Sequence, residues 1–431
     1  MARFLFAPVA ATGHINPGLP IAAELVHRRH EVRWYTSPRF EQKIRSVGAQ
    51  YVPYAKGIAL QEGQIDQQFP ERVKLKGLAQ LKYDMRCFIS LIPGLYEDLA
   101  EEIRRHRPDV VVGDTAAHAC GLAAQSHGVP WAAYGITVLL QRSRDTAPFG
   151  LGLPPSESAL GRLRNALLYW LVDQVIFKEP FAFYDATVEK LGLGKPQYSG
   201  NEFARAANVV LQGCTPSFEY PRSDLPANVR FIGSSIPPMP PDWQRPEWWA
   251  RLDAGQPVVL ATQGTVATNY DDLLIPTMRA LAGEDVLVIA TTGSRRVTDL
   301  GLASLPANVI VEQFVPYARL MPRVSLLVTN GGYGTVQMAL AHGIPIVVFG
   351  GSEEKPEVAR RVTWSGVGIG YRVKRPSPDL IRSAVKKALG TPSYRARSRE
   401  FAAELRQYDT PKLAADMLES LVARQRMPPA G

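Results

Sequence analysis

The chain is poor in cysteine: Cys87, Cys120 and Cys214 are its whole complement in 431 residues, and no two share a metal-binding or disulfide spacing. A zinc cluster and a disulfide-stapled scaffold are thereby excluded, and a reducing compartment is expected. No apolar run approaches the ~18 residues that a bilayer-spanning helix needs. The start, Met1-Ala2-Arg3-Phe4-Leu5-Phe6-Ala7-Pro8, has the single cation and short apolar stretch of a secretion signal. Gly13-His14 follows at once, so the stretch reads as a first buried strand, and the expectation is a soluble, cytoplasmic protein. A block of one charge is also missing. The net charge is +9, and its densest spots, His27-Arg28-Arg29-His30 and Arg104-Arg105-His106-Arg107, fall at expected helix ends. Cations there complement the helix dipole rather than forming a nucleic-acid face. A Gly-x-Gly-x-x-Gly fingerprint is absent after the first strand, which disfavours a nicotinamide dehydrogenase, and no Gly-Lys-Ser/Thr marks a P-loop.

What is present is an ordinary globular mixture, 46% hydrophobic and 21% charged, arranged in two alternating series. Strands are expected at 3–9, 31–36, 49–53, 109–113 and 131–135, with helices at 17–29, 39–47, 92–106 and 116–127. A second series places strands at 257–262, 285–291, 308–312, 325–329 and 344–349, and helices at 271–282, 334–342, 356–365 and 378–389. Near-continuous apolar strands alternating with helices predict α/β architecture with parallel sheets covered on both faces. Between the series lies Ile236-Pro237-Pro238-Met239-Pro240-Pro241-Asp242-Trp243, where four prolines in five residues admit neither a helix nor a central strand. The expected organisation is therefore residues 1–235 as a first doubly wound domain, 236–256 as a linker, 257–408 as a second such domain, and 409–431 as a terminal helix and tail. The stretches 61–91 and 138–193 interrupt the first series. The second carries Leu167, Leu168, Trp170, Leu171, Val175 and Phe177 at helical spacing, which suits either a packing face or the lining of an apolar ligand.

Three loops at strand ends can carry chemistry. Ala11-Thr12-Gly13-His14-Ile15-Asn16-Pro17 follows the first strand, with Pro17 suited to a first helical turn and His14 placed at a crevice rim as a candidate base. Asp114 closes another strand of the same sheet and can fix that imidazole's tautomer; its plainer role is capping the next helix. In the second half, Thr329-Asn330-Gly331-Gly332-Tyr333-Gly334-Thr335 joins a strand to a helix as an anion cradle of backbone N–H groups, and Gln263-Gly264-Thr265 adds a second wall. Gly350-Gly351-Ser352-Glu353-Glu354-Lys355-Pro356 then places acids beside the cradle, where they either complement a helix dipole or bind polyol hydroxyls.

Taken together, Thr12-Gly13-His14-Ile15-Asn16-Pro17, Asp114, the Pro-rich linker, Val311-Glu312-Gln313-Phe314-Val315-Pro316, and Thr329 through Thr335 with Ala339-Leu340-Ala341-His342-Gly343-Ile344-Pro345 cover nearly the whole chain. This pattern resembles the bacterial natural-product branch of the family 1 nucleotide-sugar glycosyltransferases. The resemblance implies the GT-B fold, with two Rossmann-like domains facing a central cleft, and an inverting, metal-independent transfer. It makes His14 the base that deprotonates an acceptor hydroxyl and Asp114 its orienting acid. It puts the donor diphosphate against Gly264, Thr265, Asn330, Gly332, Gly334 and Thr335, the nucleoside near Phe314 and Val315, and the sugar at Glu354 and Lys355. The tail would cross back to the first domain.

Two departures from the family pattern stand out. Asn330 replaces the usual histidine at the phosphate, and Lys355 replaces the glutamine of an acid–glutamine pair. Since two acids face any carboxylated sugar, a neutral hexose is favoured, with UDP-glucose first and a TDP-deoxyhexose second. No cofactor beyond that cosubstrate is expected, and the partner is an apolar acceptor such as a polyketide, macrolide or phenol, bound by a monomer or homodimer. A sugar-nucleotide epimerase of the same fold and a non-catalytic auxiliary subunit are the competing readings. The first needs acid–base groups at the sugar carbon, and the second would be expected to lack His14 or Asp114.

Overall fold

The computed structural model describes residues 1–61, 64–198, 200–237, 243–264, 269–293, 296–302 and 304–426. In the first half, β1 (Arg3–Phe6), β2 (Glu31–Thr36), β3 (Gln50–Pro53), β4 (Val110–Asp114), β5 (Trp131–Tyr134), β6 (Val209–Gln212) and β7 (Val229–Phe231) form one sheet in the order β3-β2-β1-β4-β5-β6-β7. In the second, β8 (Val258–Thr262), β9 (Leu287–Thr291), β10 (Val309–Glu312), β11 (Leu326–Thr329), β12 (Ile346–Phe349) and β13 (Gly368–Tyr371) are ordered β10-β9-β8-β11-β12-β13. Every neighbouring pair is parallel.

Side chains of successive strand residues point to opposite faces, and here both faces are apolar. Phe4, Phe6, Val110, Val112, Ala132 and Tyr134 pack on one side of the first sheet, whereas Leu5, Val111, Trp131 and Ala133 pack on the other. The second sheet repeats this, with Val258, Leu260, Leu287 and Ile289 opposite Val259, Ala261, Val288 and Ala290. Such double burial requires helices on both faces, which is why the connections are helical crossovers.

Three strands were not anticipated from the pattern: β6, β7 and β13. β7 spans only Val229–Phe231. β13 reads Gly-Ile-Gly-Tyr, and glycine weakens a strand signal. The glycines are required: a Cβ on Gly368 or Gly370 would lie about 1.8 or 1.9 Å from the carbonyl oxygens of Ile346 and Ala359. The first helix also differs from expectation. It runs Thr12–His27 and contains Pro17 and Pro20, so Pro17 is not at its first turn and Gly13-His14 are helical. The same turn is tied to the segment after β7, where Ser235 donates its hydroxyl to the Pro17 carbonyl oxygen at 2.6 Å.

The domains meet through a mixed seam. Val138, Cys214 and Phe218 of the first join the core of the second beside Tyr333 and Phe401. The Thr410–Arg426 helix returns to the first domain, where Ala414, Ala415, Leu418, Leu421 and Val422 pack with Phe4, Ile15 and Leu25. Arg28 clasps it, donating to Asp416 at 2.6 Å and Glu419 at 2.8 Å.

Candidate active site

In each sheet the strand order reverses at one place, between β1 and β4 and between β8 and β11. Connections leaving two such strands diverge to opposite faces, opening a crevice beyond their carboxyl ends. All three sequence-predicted loops stand at or beside these reversals.

At the first, β1 leads into the helix bearing His14 and β4 ends on Asp114. Nδ1 of His14 lies 3.1 Å from Oδ2 of Asp114; the imidazole is 23% exposed and the carboxylate 0%. Asp114 Oδ2 also accepts the Val9 N–H at 2.8 Å, and Oδ1 accepts that of Ala116 at 2.6 Å. Asp114 thus stabilises its turn and faces the histidine at once. It is not a helix cap, since the next helix begins at His118 after Ala117. The Tyr134 hydroxyl donates to the His14 carbonyl at 2.6 Å, and burial holds that phenol protonated, with its pKa well above the ordinary value. Among the described residues, a Cβ at Gly13 would meet nothing within 4 Å.

At the second reversal, the Asn330 amide nitrogen donates to the Gln263 carbonyl at 2.8 Å and ties the two cradle loops together. The Tyr333–Ala341 helix starts immediately after Gly332, with Gly334 and Thr335 in its first turn. Gly331, at φ +99°, turns the chain where a Cβ would press on Val348 at 3.0 Å. By contrast, among the described residues, Cβ atoms on Gly264 and Gly334 would meet nothing within 4 Å. Thr265 lies outside the described residues. One residue escaped the sequence reading: Gln337, one turn into this helix, is buried, and both its amide atoms lack a hydrogen-bond partner among the described residues. A polar residue among apolar helix positions was its only signal.

Beyond β12 the third loop passes through Glu353, whose φ of +56° is strained for a residue with a side chain. Lys355 pairs with Glu353. Burial drives the Glu354 carboxyl above its ordinary value of 4.5, assisted by Glu353 and opposed by Lys355 and by the charge of His14. Of the two residues expected at the nucleoside, Phe314 is 60% exposed, whereas Val315 is 2% exposed and packs in the second core. Only Phe314 therefore offers a side-chain platform. The neighbouring Glu312 carboxylate accepts the Trp248 indole N–H at 2.5 Å, linking this segment to the chain after the Pro-rich stretch.

The 138–193 excursion forms no core of its own. Leu160, Leu163, Leu167, Trp170 and Val175 are all exposed, along the Ala159–Leu171 helix and the π-turn Val172–Ile176. Among the described residues there is no group of three His, Cys, Asp or Glu that could hold a metal, and no helix long and apolar enough to cross a membrane.

Residues 276–421 match the family described as the C-terminal domain of erythromycin biosynthesis protein CIII-like proteins. Over 98% of its length the chain is 42% identical to all of a 4'-demethylrebeccamycin synthase of Lentzea aerocolonigenes. It is also 32% identical to UDP-glycosyltransferase 2 of Phaeomoniella chlamydospora, covering 97% of this chain and 95% of that one. The chain belongs to the UDP-glycosyltransferase-like family of glycosyltransferases. The calicheamicin glycosyltransferase CalG4 superposes with a TM-score of 0.75 at 21% identity, over 99% of this chain and 100% of that one. The glycosyltransferase thus has the two-domain GT-B fold expected from its motifs, and it belongs to natural-product biosynthesis.

Proposed function

We propose that this glycosyltransferase moves a hexose from UDP-glucose to a hydroxyl of an apolar natural product by a single inverting displacement. The observation that carries the reading is the His14–Asp114 pair at the strand-order reversal of one sheet, together with a glycine-lined helix N-terminus at that of the other. With Nδ1–H directed at the buried Asp114 carboxylate, Nε2 keeps its lone pair for the acceptor. It takes the hydroxyl proton as the acceptor oxygen bonds to the anomeric carbon, and the carbon–oxygen bond to the diphosphate breaks. Asp114 steadies the imidazolium that results. Charge developing on the departing diphosphate meets the backbone dipoles at Gly264, Gly332, Gly334 and Thr335. The chain's own groups thus supply the base and the leaving-group stabilisation, and no metal is invoked.

Glu354 supports a neutral sugar, since a carboxylate accepts hydroxyls, and Lys355 is engaged by Glu353 rather than offered to a sugar acid. Phe314 suits stacking on the base. The exposed apolar face of the Ala159–Leu171 helix supports an apolar acceptor, as does the identity to a 4'-demethylrebeccamycin synthase. A TDP-deoxyhexose is the second donor. Three unpaired buried cysteines fit work in the cytoplasm.

The test is a donor-by-acceptor panel read by mass spectrometry, with UDP-glucose, UDP-glucuronic acid and TDP-hexoses against phenols, polyketides and macrolides. Transfer from UDP-glucose with inverted anomeric configuration, unaffected by a chelator, supports the reading. A new nucleotide sugar formed without acceptor would establish an epimerase instead.

A further inference from the structure

The helix that begins at Lys355, directly after Glu354, does more than end the donor loop. Two turns of it reach into the first domain. Oε1 of Glu357 accepts the backbone N–H groups of Gly150 at 3.0 Å and Gly152 at 2.6 Å, while Oε2 accepts from Arg361 Nη1 at 2.9 Å. Arg361 continues to Glu219, donating from Nε at 2.8 Å and also from Nη2, and its guanidinium lies 3.9 Å from the Tyr220 ring centroid. Glu219 in turn accepts the Leu139 N–H at 2.8 Å. Glu357, Arg361 and Glu219 are all buried.

Their common product is the placement of one long loop. The segment after β5 is held to this helix at Leu139 through Glu219 and Arg361, and at Gly150 and Gly152 through Glu357. Arg222 adds bonds to the carbonyls of Leu139 and Gln141. Both glycines sit in the left-handed region, at φ +94° and +58°, which lets two nearby N–H groups converge on one oxygen. The loop then runs into the apolar Ala159–Leu171 helix. A surface-domain connection would not need a buried carboxylate–guanidinium–carboxylate chain for stability alone, because apolar residues of similar volume do as well or better. In some proteins such chains are retained because they fix conformation.

We propose that Glu357 is a positioning residue for the transfer: it sets the acceptor-side loop against the Glu354 turn, with Arg361 and Glu219 orienting its carboxylate. The inference rests on reading the cleft as the transfer site. Displacement of a reactant by about 1 Å costs on the order of 10²-fold in rate, so loosening this clamp should act on acceptor alignment and leave nucleotide binding alone.

Two variants test it. Glu357→Gln keeps an acceptor for the glycines but turns an amide NH₂ towards Arg361. Gly152→Ala leaves every charge in place and sets a Cβ about 2.9 Å from the Pro356 carbonyl, displacing the loop from the other side. With the donor and acceptor that serve the wild type best, both variants should raise acceptor KM and lower transfer kcat, together on the order of 10²-fold in kcat/KM. Kd for free UDP and the rate of donor hydrolysis to free sugar should stay within about two-fold, so the ratio of transfer to hydrolysis falls. Amide exchange in the peptide holding Gly150 and Gly152 should quicken. If Glu357→Gln does not fold, Gly152→Ala decides the matter. Wild-type acceptor KM and transfer-to-hydrolysis ratio in folded variants would overturn the inference alone, as would a proportional fall of transfer, hydrolysis and UDP binding. A wild type that transfers no sugar from any donor overturns the reading of the cleft, and this inference with it.

Discussion

Oδ2 of Asp114 lies 3.1 Å from Nδ1 of His14 while accepting the Val9 N–H at 2.8 Å, so one oxygen joins the candidate base to the loop that follows β1. His14→Ala removes the base but none of that framework. It should fold normally and lower kcat by about 10²–10⁴-fold on an ordinary alcohol. Near-wild-type turnover of the folded variant would remove His14 from the mechanism; an acidic phenol, which ionises unaided, should lose less.

Asp114 should separate its two roles by substitution. Asp114→Asn retains an oxygen, lowering kcat less than His14→Ala and preserving the fold. Asp114→Ala strands the N–H groups of Val9 and Ala116, each at about 1–3 kcal/mol. Calorimetry should therefore show a drop in Tm for the alanine variant well beyond that of the asparagine variant.

Gly334→Val adds a side chain where a Cβ would meet no other part of the described residues within 4 Å. The Tm without nucleotide should change little. UDP at a hundred times its wild-type Kd stabilises the wild type by about 2.7 kcal/mol, and that increment should largely vanish in the variant. Equal nucleotide-induced shifts would place the diphosphate elsewhere.

Burial leaves Glu354 protonated above the 4.5 of an ordinary glutamate. The carboxylate that accepts sugar hydroxyls therefore fills only as pH rises through a higher value, and kcat/KM for the donor should climb across that range. Glu354→Gln should lose this rising limb. Glu354→Ala should impair transfer far more than binding of free UDP; loss of both alike would show that the loop supports the cradle rather than selecting the sugar.

Asp145 predicts part of the acid stability. The carboxyl is buried against a desolvation cost, yet the Ser223 hydroxyl and N–H and the Arg162 guanidinium bring its pKa down to about 2 from 3.8. A depressed folded-state value means a contribution fully present above about 4 and lost as pH falls towards 2. The Tm difference between wild type and Asp145→Asn should be constant above pH 5 and shrink steadily below pH 4. A difference that does not narrow would show that Asp145 carries no such linkage.

Much of this was legible from local pattern. β2, Ile92–His106 and Pro378–Leu389 have the ends expected of them, because apolar periodicity and proline near the helix start agree with the packing. The strand-end rule alone located His14, Asp114 and the cradle. What escaped depended on partners distant in sequence. Nothing local in the sequence joins Glu219 to Arg361, 142 positions apart, before the fold brings them together. The helical placement of His14 was hidden because two prolines argue against a helix that tertiary contacts nevertheless complete. The left-handed turn at Glu353, which brings its carboxylate to Lys355, had no local signal, because a residue with a side chain rarely adopts that conformation.

The return of the Thr410–Arg426 helix to the first domain gives the two halves an unequal history on the ribosome. Ala414, Ala415 and Leu418 are wholly buried in the core that holds Phe4, Ile15 and Leu25, so those three wait for their cover until the second domain has been made. The core clusters of the second domain hold no residue of that helix, so its sheet can close while the first still shows an oily flank. Anyone splicing donor specificities between relatives must therefore cut twice, before Val258 and again before Thr410, leaving the final helix with the amino-terminal parent. A single crossover at the linker would pair one parent's first domain with the other's closing helix, and the misfit would fall in the half that had not been exchanged.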